Sequence, residues 1–376
     1  MRPKADEASR MSRGGRLEPE DTQCSAVREP FARSQSGPRD RVAGATGDER
    51  AMDATIEQVK AGALTPIDKA KPRGALADAV FVGTLWACGM LVLLLLGLII
   101  AQLFKGGLPA LQHFGLDFIW SSNWNPVTEN FGALVMIYGT LLSSVIAVVV
   151  ALPLSFGIAF FLTEIAPQGL KRPIGVAVQL LAAVPSIIYG MWGFFVIVPL
   201  IAAYLQPPLI DWLGPIPVLG ALFQGPPLGS GMLTAGVILA IMIVPFITAM
   251  FVETLESVPP MLKESAYGVG CTTFEVYKNV SVPYGRTAMV GAIMLGLGRA
   301  LGETMAVTFV IGNATRLSAS LFAPGATIAS TIANEFPEAS IGSLKLTSLL
   351  QLGFILFVIS FIVLAVSRAL VRSRLD

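Results

Sequence analysis

Histidine, cysteine and charge are what this 376-residue sequence has least of. A single histidine, His113, leaves no His-rich metal site and removes most His-dependent catalysis. Cys24, Cys88 and Cys271 lie apart in a tail, an apolar run and a polar loop, with no CxxC or other metal-ligand spacing. A disulfide scaffold and a metal centre are both excluded on that ground. No G-x-x-x-x-G-K-[ST] occurs, so the chain has no P-loop of its own. Charged residues make up 14% of the chain, against about 25% in soluble domains. A net charge of +1 offers no bulk attraction for acidic partners, nucleic acid included.

The charge that exists is unevenly placed. Residues 1–51 hold ten Lys/Arg and nine Asp/Glu of a total of 26 and 25. Residues 1–75 are rich in Arg, Glu, Ser, Gly and Pro, a composition expected to stay disordered. No apolar run lies near Met1, which speaks against a secretory signal. The abrupt change of composition makes Met52 a candidate true start, with 1–51 read from an upstream codon.

Beyond the tail come apolar runs long enough to cross a bilayer, which takes about 20 residues at 1.5 Å each. They fall at roughly 79–103, 132–162, 174–204, 229–254, 286–312 and 346–370. Pro153, Pro185 and Pro199 predict tilt or kinks in the second and third, and the Pro-rich 205–228 leaves room for a short re-entrant piece. Lys69, Lys71, Arg73, Lys171, Arg172, Lys263, Lys278, Arg286, Arg368, Arg372 and Arg374 fall on one side, against Lys105, Arg316 and Lys345 on the other. By the positive-inside rule both termini and the 255–285 loop face the cytoplasm. The expected fold is all-α, with six transmembrane helices.

The 255–285 loop is polar yet helical in composition. Pro259 and Pro260 suit a helix start, Gly270 a sharp turn, a second short helix is expected over 272–280, and Pro283 closes the loop. In the fifth run, "RTAMVGAIMLGLGRALGETMAVTFVIG", Arg299 and Glu303 stand at i, i+4, and so are expected to share a helix face. Arg299 is about 20 Å beyond Arg286, deep in the hydrocarbon region. An Arg there must be paired or line a wet cavity. Two readings stay open: a packing ion pair, or a path for oxyanions, whose tetrahedral oxygens match the planar guanidinium. Gly296, Gly298 and Gly302 allow close approach of a neighbour. His113 and Glu164 read as surface and interfacial residues, Ser186 and Tyr189 as packing or path residues. A short amphipathic helix is expected within 313–345.

The spacing Glu264-Ser265-Ala266-x3-Gly270-x9-Val280-x-Val282-Pro283 resembles the EAA loop, E-A-A-x3-G-x9-I-x-L-P, of ATP-binding-cassette importer permeases. It departs from that pattern at Ser265, Val280 and Val282. The runs "GLGRALGETMAV", "YGTLLSSVIAVVVALPLSFGIAFFLTEIAP" and "VPSIIYGMWG" resemble the phosphate-specific transport (Pst) permeases, over about 131–372. The first span and outside loop, 76–130, look more like the PstC-type subunit than its PstA-type companion. The resemblance implies a type I importer, MetI-like permease fold, in a bacterial inner membrane. It implies that Arg299, Glu303 and Thr304 belong to the phosphate path. Glu264, Ser265, Ala266, Gly270, Val280, Val282 and Pro283 would couple to a separate ATPase subunit. The implied partners are a PstA-type permease, an ATPase dimer that holds ATP and Mg, a phosphate-binding protein outside, and lipid; the chain itself would bind no cofactor. Sulfate or molybdate is the nearest rival cargo, since Arg chemistry suits any oxyanion. An ion-coupled carrier using Arg299 and Glu303 as a proton relay is the rival of another class, and it leaves the 261–283 loop without a role. A membrane enzyme lacks any catalytic constellation.

Overall fold

The computed structural model describes residues 75–216 and 219–372. The expectations placed on 1–74, including the Met52 start, lie outside the described residues. Among the described residues, six helical stretches are long and apolar enough to cross a membrane: Ala77–Phe114, Leu134–Ile165, Ser186–Leu213, Met232–Glu256, Thr273–Leu301 and Leu344–Ala369. The chain divides into two compact units at Leu96/Gly97. The described part of the first is the leading stretch of helix α1 (Ala75–Phe114), whose apolar side chains are exposed from Val80 to Leu96.

Within the second unit α1 ends at Phe114, and a short helix α2 (Asp117–Trp120) follows. A two-stranded hairpin, β1 (Trp124–Asn125) with β2 (Asn130–Phe131), pairs Trp124 with Phe131. Helix α3 (Leu134–Phe160) runs into a π-helical turn, Phe161–Ile165. The third span is not one rod beginning near 174. Pro185 separates an amphipathic helix α4 (Gln168–Ala182), with no buried residue, from α5 (Ser186–Trp192). The span continues through π turns and α6 (Val198–Leu200) to α7 (Gln206–Leu213). After α8 (Leu219–Leu222) comes α9 (Met232–Glu256), then the loop helices α10 (Pro260–Gly268) and α11 (Thr273–Val276). A π turn over Tyr277–Ser281 leads into α12 (Val282–Leu301); α13 (Met305–Val310), α14 (Ile328–Glu335) and α15 (Leu344–Arg372) complete the order.

Helix α9 is the axis of the bundle, packed on α3, α4 and α12. Its neighbours present small side chains: Ala147, Ala151 and Ala159 of α3 and Ala292 of α12 are buried against Ile238, Met242, Ile243 and Phe251. Lipid tails are as apolar as Leu, so close packing rather than hydrophobicity selects these small residues. A second core holds the opposite end, where Phe118, Trp124, Phe131 and Met136 meet Ile328, Leu349 and Leu352. There Ile328 N donates to Thr140 Oγ1 at 3.0 Å, and the Trp124 indole donates to Glu335 Oε1 at 2.9 Å. The short helix expected in 313–345 is α14, opened by a capping box of Thr327 and Ser330.

Gly139 sets how closely this end packs, because a Cβ there would land on the Ala326 carbonyl oxygen. Gly139→Ala is therefore expected to destabilise by about 1–3 kcal/mol through overpacking. Gly157→Ala, on the same helix with open space around it, should be neutral or stabilising by about 0.5–1 kcal/mol. Thermal unfolding of the detergent-solubilised protein separates the two. Equal midpoints would refute the close approach.

Candidate functional site

The 255–285 loop folds as the sequence spacing requires. Pro260 opens α10, and the helix closes in a Schellman arrangement. Cys271 N donates to Ala266 O at 3.2 Å and Gly270 N to Tyr267 O at 2.9 Å, with Gly270 at φ +97°. Thr272 and Glu275 form a reciprocal capping box that starts α11. The result is a knob of two short helices at a glycine corner. Glu264 and Ser265 are exposed, beside an unusual amount of apolar surface for a polar loop: Met261, Leu262, Tyr267, Val269 and Phe274. Ala266 is buried inside the knob, and the Ser265 hydroxyl turns back to Met261 O at 2.7 Å. Of the loop residues singled out by spacing, Glu264 and Gly270 lie on its surface, Ala266 supports it from within, and Val280, Val282 and Pro283 are half-buried where it joins α12.

The fifth span departs from the continuous helix assumed for 286–312. Helix α12 stops at Leu301, Gly302–Thr304 is non-helical, and α13 begins at Met305. Arg299 and Glu303 are therefore not on one helical face. No ion pair joins them among the described residues. The Glu303 carboxylate instead accepts from Ala306 N at 3.3 Å, capping α13. Arg299 occupies the last turn of α12, where unpaired carbonyls put partial negative charge beside its guanidinium. Irregular backbone at such a depth is tolerated where it is buried in protein or lines a water-filled cavity. Arg299 is exposed here, and Glu303 and Thr304 are half-buried.

Tyr189 lies on α5, which packs against α13. Its hydroxyl is held by Leu181 O at 2.8 Å. Gly190 lets α5 approach α13 so closely that a Cβ there would lie 2.9 Å from Ala306 Cα. The break at 302–304 thus leaves Arg299 at the end of α12, and Glu303 and Thr304 just ahead of α13, which packs on the helix that carries Tyr189. Sequence reasoning held Tyr189 ambiguous between packing and path, and its tie to the backbone fixes its position. His113 is exposed, as expected, with its ring 4.6 Å from Phe114. Glu164 is not a loose interfacial charge. It is 8% exposed and 2.6 Å from Lys263, a link across 99 positions that no local pattern announces.

Among the described residues, six helices long and apolar enough to cross a membrane, a polar knob and a broken helix carrying an Arg define a polytopic helical membrane protein. Residues 167–375 match the family described as binding-protein-dependent transport system inner membrane component. Among curated proteins, "Phosphate transport system permease protein PstC" of Mesorhizobium japonicum is 56% identical over 304 residues, 81% of this chain and 92% of that protein. The protein of the same name in Pasteurella multocida is 55% identical over 280 residues, 74% and 87% of the two chains. The "Probable phosphate transport system permease protein PstC" of Methanocaldococcus jannaschii is 39% identical over 277 residues, 72% and 86%. A solved inward-facing MetNI methionine ABC transporter chain is 18% identical with a TM-score of 0.45, covering 62% of this chain and 94% of that one. The chain belongs to the binding-protein-dependent transport permeases, and within them to the PstC type.

Proposed function

We propose that the chain is the PstC-type permease subunit of an ATP-driven importer of inorganic phosphate. The observation that carries the reading of the path is the exposed Arg299 side chain about 25 Å along α12, beside a break in the helix and without an ion pair among the described residues. A guanidinium offers paired donors to a phosphate oxyanion, while Glu303 nearby keeps the anion from being trapped, as throughput demands. The names of the relatives favour phosphate over sulfate or molybdate. Positive charge in alternate loops supports cytoplasmic termini and a cytoplasmic knob in a bacterial inner membrane.

In this reading the knob is the dock for a separate ATP-hydrolysing subunit dimer, which holds ATP and Mg. Its exposed apolar side chains around Glu264 supply the contact area. A PstA-type permease completes the path, and an extracytoplasmic binding protein delivers phosphate. The test is uptake of labelled inorganic phosphate by cells lacking their own high-affinity importer and expressing the complete transport system. Uptake should need ATP, survive collapse of the proton gradient and resist excess sulfate or molybdate. Uptake that vanishes with the gradient while ATP is maintained would favour an ion-coupled carrier instead.

A further inference from the structure

The knob is bonded to a helix that is not its chain neighbour. It is covalently continuous with α9 and α12, yet two of its side chains reach the end of α3 and the π turn that follows it. Lys263 Nζ of α10 lies 2.6 Å from Glu164 Oε1, with the two side chains 20% and 8% exposed. Tyr277, just past α11, is fully buried. Its ring centroid lies 5.1 Å from that of Phe156 and 4.5 Å from that of Phe160, and its hydroxyl donates to Phe156 O at 3.4 Å. Glu164 belongs to the π turn Phe161–Ile165, and Tyr277 opens the π turn Tyr277–Ser281. Such turns are rare and frequently mark functional sites. An ion pair shielded from water cannot slip freely, because separating the partners leaves a poorly solvated charge on each side. The neighbouring pair, Lys171 with Glu256 at 2.8 Å, is half-exposed and holds far more weakly.

We propose that Glu164, Lys263 and Tyr277 form a latch that transmits movement of the knob directly into α3, in parallel with its covalent path into α12. These are positioning residues and touch no substrate. The latch rests on the reading of the knob as the ATPase dock, and gives that dock a second route into the membrane.

The test uses the complete transporter in proteoliposomes, measuring labelled inorganic phosphate moved per ATP hydrolysed. Glu164→Gln and Lys263→Met should retain the ATPase subunit and its hydrolysis, while phosphate moved per ATP falls roughly fivefold or more, the scale of an ordinary coupling term. The exchanged pair, Glu164→Lys with Lys263→Glu, should recover most of the ratio. Tyr277→Phe, which keeps the ring and loses the hydroxyl, should have the smallest effect of the set. A wild-type ratio in both single variants overturns the latch. So does loss of the ATPase subunit from them, or an exchanged pair no better than its parents. A wild-type chain that brings down no ATP-hydrolysing subunit would refute the docking reading itself, an outcome separate from any of these.

Discussion

Arg299→Gln should assemble normally and transport poorly. Hydrogen bonds to charged groups contribute about 1.5–3 kcal/mol each, so removing the guanidinium should lower phosphate uptake about ten- to a hundredfold. Assembly should survive because the side chain is exposed and makes no ion pair among the described residues. Arg299→Lys keeps the charge but loses the planar fork, and should fall between the two. Uptake by cells with matched amounts of membrane-inserted protein decides the matter. Normal transport by Arg299→Gln would remove Arg299 from the path and leave it a packing residue of α12.

The second large effect is expected at Gly270. At φ +97° an L side chain is strained by about 1–3 kcal/mol whatever space surrounds it, and here the space is open. The damage from Gly270→Asp should therefore come from the bent corner and from a new charge on the knob surface, not from a clash. The ATPase subunit should fail to co-purify with the variant. Gly270→Ala carries the same strain without the charge and should retain part of it. Full retention and full transport by Gly270→Asp would end the docking role of the knob.

The knob was legible residue by residue, because Pro260, Gly270 and Pro283 are punctuation whose backbone consequences are local. The apolar spans were legible for the same reason, since length and hydropathy need no knowledge of neighbours. The break in the fifth span was not. Gly298 and Gly302 are compatible with a membrane helix, so "GLGRALGETMAV" reads as continuous, and the i, i+4 pairing of Arg299 with Glu303 follows from that continuity alone. The structure spends Glu303 on capping a new helix, and the pairing dissolves. The third span failed in a milder way: Lys171, Arg172 and Pro173 dilute an amphipathic stretch that averages into the apolar run after Pro185. The Glu164–Lys263 link could not be read at all, because it depends on how α3 and α10 meet in space.

The interruption at 302–304 also changes what kind of machine part the fifth span is. Its 20-residue portion, α12, is a rod of about 30 Å with a joint at one end and the knob at the other. Swinging it about that joint by roughly 10° carries the knob end some 5 Å, while the joint itself scarcely shifts. Helix α13, seated on Gly190 of α5, need not follow. On such a swing the charged side chain in the last turn before the pivot would be turned rather than translated, and a large excursion at the knob end would reach it as a change of aim.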